Sequence, residues 1–74
     1  MTEDDLVAQL PLAGADLPKY AVIRLKTESI VTESAVRFGG GLREAAGRLM
    51  LAYRDRPNRS DTVLDILEDI YLPN

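Results

Sequence analysis

Three consecutive glycines, Gly39, Gly40 and Gly41, constrain this chain of 74 residues more than any other feature. Glycine gives up more backbone freedom on ordering than any other residue, so three in a row do not belong inside a regular element. They mark a boundary near the middle of the chain, and the segment after them is readable at once. Leu42, Ala45, Ala46, Leu49, Met50 and Tyr53 hold helical spacing. That pattern predicts a helix over Leu42–Tyr53, with Arg43, Glu44 and Arg48 on its outer face. Gly47 weakens this helix by about 1 kcal/mol relative to alanine, or permits a close helix crossing. Pro57 stops any continuation.

A further helix follows from 61 to about 72. Ser60 is a good N-cap, because its hydroxyl can accept from a backbone N–H that the first turn leaves unpaired. Asp61 sits where the positive end of the helix dipole favours an acid. Val63, Ile66, Leu67, Ile70 and Tyr71 fall on one apolar face, and Pro73 is the expected stop. Arg54, Arg56 and Arg59 lie just before the cap, where free N–H groups can hold a phosphate. The competing explanation for each arginine is a solvated side chain, or one paired with Asp55 or a neighbouring acid.

The length sets one small domain, whose core alone supplies roughly 3–5 kcal/mol. Such a chain needs a staple. It has no cysteine, hence no disulfide or thiolate metal site, and no histidine, the commonest zinc ligand and general base. Self-association is the remaining route, so a homodimer is the default expectation. No apolar run approaches a membrane span, and the acidic N-terminal stretch does not look like a secretory signal, which points to a cytoplasmic protein. The net charge of −3 is unevenly spread. Residues 34–59 set six arginines against Glu44 and Asp55, whereas residues 60–74 carry only Asp61, Asp65, Glu68 and Asp69. Positive charge is thus confined to one segment, and a local patch matters more to a partner than the total.

Before the glycines the pattern is less decided. Thr2 can cap a short helix over 3–10, with three acids in its first turn and Leu6, Val7 and Leu10 as its stripe. Residues 12–18 read as a connector. In the stretch 19–38, Ala21, Ile23 and Leu25 alternate as in a strand over 20–26, while Ile30, Val31, Ser34, Ala35 and Phe38 fit a helical face with Thr27 as cap. The same chain fits a strand over 34–38, with Ser34, Val36 and Phe38 on one side and Ala35 and Arg37 on the other.

From residue 34 onward, the order strand, loop, helix, basic turn, helix resembles the ribbon-helix-helix family of DNA-binding proteins. The matching residues are Ala35-Val36-Arg37-Phe38 for the strand, Leu42–Tyr53 for the first helix, Asn58-Arg59-Ser60-Asp61 for the turn and cap, and 63–72 for the second helix. The resemblance implies a mainly α, ribbon-helix-helix-like domain with a short N-terminal helix. Residues 34–74 form the unit and 1–33 an acidic helix and connector, all within one folded domain. It further implies a homodimer whose antiparallel ribbon lies in the major groove of a palindromic duplex, as in transcriptional regulators and antitoxins. Val36 and Phe38 would then face the core. Ala35 and Arg37 would face bases, and Arg56, Asn58, Arg59 and Ser60 would meet phosphate. Three departures stand out: the glycines replace the usual start of the first helix, the turn before Asn58 is arginine-rich where a glycine is more usual, and Glu33 would repel phosphate. A rival register places the ribbon at 20–26 and the helices at 27–38 and Leu42–Tyr53.

Other chemistry finds little support. Asp65 and Asp69 are neighbours on a helix, but without histidine or a calcium-loop pattern they read as a solvated face. The glycines are followed by Leu-Arg, so there is no phosphate loop, and no serine has a base at a recognised spacing. The expectation is a non-enzyme without cofactor or metal. The alternative to DNA binding is a helical adaptor, assembly subunit or inhibitor. In it the apolar faces of the last two helices meet a partner protein. The acidic N-terminal helix itself reads as a docking element, as a lid over the core through Leu6, Val7 and Leu10, or as an intersubunit cover in which Glu3, Asp4 and Asp5 neutralise the basic segment when DNA is absent.

Overall fold

The computed structural model describes residues 1–14 and 19–72, which form four helices: α1 (Glu3–Val7), α2 (Tyr20–Phe38), α3 (Leu42–Tyr53) and α4 (Asp61–Tyr71). The expected connector at 12–18 and the stop at Pro73 fall partly or wholly outside the described residues. α3 and α4 form where one-sided periodicity places them, and they pack most extensively on each other. Ala45, Ala46, Leu49 and Tyr53 of α3 close against Val63, Ile66 and Leu67 of α4, all fully or almost fully buried. Ser60 caps α4 as expected, its Oγ accepting from the Val63 N–H at 3.3 Å. Gly47 is a close crossing: a Cβ there would stand 2.8 Å from Cε1 of Tyr71.

The ribbon is not there. Among the described residues no strand forms, and the only β-type pairing is an isolated antiparallel bridge between Leu12 and Arg59. Both candidate strands, 20–26 and 34–38, belong to the single helix α2. The stretch is rich in β-branched residues, yet no glycine or proline interrupts it, and burial decides its state. Ile23, Thr27, Ile30, Val31 and Ser34 share one face only in a helix, where they cover α3 and α4. A strand would have sent Ser34, Val36 and Phe38 inward together. The helix buries Ser34 instead and leaves Val36 80% and Phe38 39% exposed, so the two expected core residues lie outside. Ala35, expected on a DNA-reading face, packs against the core. Thr27 is no cap either: it sits buried in mid-helix, its hydroxyl donating to the Ile23 carbonyl at 2.8 Å. α2 also runs through the 33/34 junction.

Gly39 and Gly40 end α2 in the left-handed region, with φ of +88° and +74°, where a side chain would strain the backbone. α1 is shorter than 3–10, but Leu6, Val7 and Leu10 are buried as its stripe requires. A polar junction fixes α1 to the rest. The Glu3 carboxylate accepts from Ser34 Oγ of α2 and from Arg48 Nε of α3, the latter at 3.0 Å. Arg48 also donates to the Gly39 carbonyl at 2.8 Å. Arg48 therefore turns inward to α1, where the sequence pattern had put it on the outer face. Every buried side-chain polar atom described has a partner.

Candidate interaction surface

The residues expected to bind DNA fall on two elements, Ala35 and Arg37 on α2 and the other four in the turn between α3 and α4. Arg37 lies near the end of α2 and pairs with Glu33 one turn back at 3.2 Å. Arg56, Asn58, Arg59 and Ser60 lie in the turn between α3 and α4. That turn is occupied with its own chain. The Asn58 carbonyl accepts from the Ala13 N–H at 2.8 Å, with Asn58 in the left-handed region at φ +59°. Arg59 bridges Leu12, and an Arg56 N–H reaches the Asp4 carbonyl at 3.4 Å. The hydroxyl of Tyr53 completes the node, donating to the Pro11 carbonyl at 2.5 Å and accepting from the Ser60 N–H at 2.7 Å. Burial raises the Tyr53 pKa, because the phenolate would have to form inside the core.

The adaptor alternative is corrected on one point. Apart from Leu42 and Tyr71 at their ends, the apolar faces of α3 and α4 are already covered by each other and by α1 and α2. Leu42 and Leu51 of α3 and Tyr71 of α4 stay exposed singly, whereas the other side of α2 exposes a periodic row. Val22, Leu25, Ser29, Thr32 and Val36 recur at alternating steps of three and four, opposite the buried stripe. Leu25 is 69% and Val22 51% exposed. Ser29, Thr32 and Val36 line a shallow depression with Glu33 and Arg37. Lys26 and Glu33 flank the stripe on one side, and Glu28 flanks it on the other. Glu28 pairs with Arg24 at 3.6 Å, and Arg24 ties α2 to α4 through Asp69 at 3.2 Å. Hydrogen bonds from the Arg24 guanidinium, foremost to the Tyr20 hydroxyl and then to Asp69, raise its pKa further, so the arginine stays charged.

Sequence reasoning missed this stripe because α2 carries two. Apolar residues on opposite sides of one helix cancel the single-face periodicity that identifies α3 and α4. The usable signal was the seven-residue recurrence of Val22, Ser29 and Val36 combined with Leu25 and Thr32.

A second concavity, about 360 Å³, lies beside the close crossing, where Gly47, Met50, Leu51 and Tyr71 form its floor and Glu44 and Arg48 its rim. Among the described residues no cluster of acids is placed to hold a metal ion, and no helix is long and apolar enough to cross a membrane. The chain matches no family model, no curated protein and no solved structure.

Proposed function

We propose that this chain is a small helical interaction module, an adaptor or assembly subunit without catalytic activity, that works through the outward face of α2. The observation that carries this reading is the seven-residue stripe of Val22, Leu25 and Val36, left open on a helix whose inner face already completes the core. Apolar side chains scattered singly on a surface are ordinary, but a periodic row along one helix is the form in which helices recognise one another. The lack of histidine and cysteine agrees with a non-enzymatic role. The loss of the ribbon removes the groove-reading element on which a DNA-binding regulator of that type depends.

The test is retention of protein from a lysate of the source cells on the immobilised chain, with the retained species identified by mass spectrometry. At least one protein, this chain itself included, is expected on the natural sequence and lost with Val36→Asp. Val36 is so exposed that this substitution leaves helix content unchanged by circular dichroism. Equal retention by both forms refutes the reading.

A further inference from the structure

We infer that the occupant of the outward α2 face is a second copy of this chain, packed antiparallel on the same face of its partner. This rests on reading that face as a protein-binding surface, and it is decided by the charges beside the stripe. In heptad terms Val22, Ser29 and Val36 are a positions and Leu25 and Thr32 are d positions. Lys26 and Glu33 are then e positions, and Glu28 is a g position.

Three arrangements of two such helices can be compared. In a parallel pair, g faces e, which sets Glu28 against the partner's Glu33 on both sides of the seam. In the antiparallel pair centred between Ile30 and Val31, Leu25 stacks on the partner's Val36 and Ser29 on the partner's Thr32, each twice by symmetry. Lys26 then lies about 3 Å along the axis from the partner's Glu33, while the two Glu33 side chains are about 7.5 Å apart along it. In the antiparallel pair shifted by one heptad, Lys26 takes that near position against the partner's Lys26. Only the middle arrangement is apolar at its ends and attractive along one flank; on the other flank the two Glu28 side chains lie about 7.5 Å apart along the axis, each paired with Arg24 of its own helix. It also pairs Leu25 with Val36, the two most exposed large apolar residues of α2. Val22 at either end falls opposite the partner's Gly39, where no side chain obstructs it. Serine and threonine at the centre let the helices approach closely.

The seam is four layers long and short of the roughly 1,200–2,000 Å² of a standard stable interface, so the dimer dissociates on dilution. Sedimentation equilibrium of the full chain over a concentration series is expected to show a monomer–dimer equilibrium. Leu25→Asp with Val36→Asp is expected to abolish it at unchanged helicity. Glu33→Lys is expected to weaken it by about tenfold, since both symmetric pairs become repulsive, and Lys26→Glu in the same chain to restore it. In a parallel dimer Glu33→Lys would instead strengthen association.

Orientation is read directly by cysteine pairing, because the natural chain has no cysteine. Leu25→Cys chains mixed with Val36→Cys chains are expected to form a mixed disulfide under mild oxidation, and neither is expected to pair with itself. A 25–25 disulfide, a dimer indifferent to aspartate at 25 and 36, or a monomer at every concentration overturns the assignment. If the chain is monomeric yet Val36→Asp still abolishes retention of a different protein, self-pairing falls and the α2 surface stands. If retention is also unchanged, both fall.

Discussion

Removing one oxygen from Tyr53 tests how the turn before α4 is held. In Tyr53→Phe the ring stays in the core, where the native residue is fully buried, and only the hydroxyl is lost. That hydroxyl makes two hydrogen bonds, to the Pro11 carbonyl and from the Ser60 N–H. A hydrogen bond of this kind contributes about 0.5–1.5 kcal/mol net, and the orphaned groups are only partly shielded from water. The expected cost is therefore about 1–3 kcal/mol. Against the roughly 4–11 kcal/mol typical of a chain this long, that is a large fraction. Urea unfolding followed by far-ultraviolet circular dichroism should show a lower midpoint at unchanged slope, and Tm should fall by about 4–8 °C for each kcal/mol lost. Amide exchange should accelerate first at Ala13 and Ser60, the two N–H groups of this node, while the Leu49 amide keeps its protection. A loss under about 0.5 kcal/mol, or uniform acceleration across α3, would show that the node does not act as described.

Arg48→Ala should cost about 1–3 kcal/mol by leaving Glu3 and the Gly39 carbonyl without their shared donor, with amide protection lost earliest in α1; equal loss in α4 would contradict the placement. Gly47→Ala alone should be close to neutral, because about 1 kcal/mol of helix propensity is gained while the Tyr71 ring is displaced. In a Tyr71→Ala background the same change should stabilise by about 1 kcal/mol, and additive effects in the cycle would rule out the contact. Tyr53 has a folded pKa raised above its unfolded value near 10, so its contribution is complete below that value and is lost as pH rises through the folded one. In an ultraviolet titration Tyr53 should ionise late and together with unfolding; its ionisation at the ordinary value while the fold is intact would contradict its burial.

What could be read from the chain depended on whether an element answers to one neighbour or two. α3 and α4 each bury a single face, so the spacing of Leu42 to Tyr53 and of Val63 to Tyr71 gives both elements, and Ser60 gives the cap from purely local chemistry. α2 answers to the core through Ile23, Ile30 and Val31 and presents Val22, Leu25 and Val36 outward. Its residues therefore match several templates, and the strand reading of 34–38 follows from that ambiguity. Ser34 and Arg48 were illegible for a different reason. Their common partner, Glu3, is 31 and 45 residues away, and no local pattern reports a pairing that distant. The basic turn was legible as a helix start suited to an anion, but not as a strap for residues 11–13, since the groups involved are backbone carbonyls and amides.

The Glu3–Arg48 junction also sets an order of events during synthesis. Glu3 leaves the ribosome 45 residues ahead of the arginine that anchors it. At about 5–20 residues per second α1 waits roughly 2–9 s with Leu6, Val7 and Leu10 uncovered. A five-residue helix is too short to persist alone for that interval. α1 is therefore made before the helices that hold it and is among the last of the four to become helical. Codons that slow translation between residues 10 and 48 would lengthen the exposure of its apolar side chains without changing the protein that finally folds.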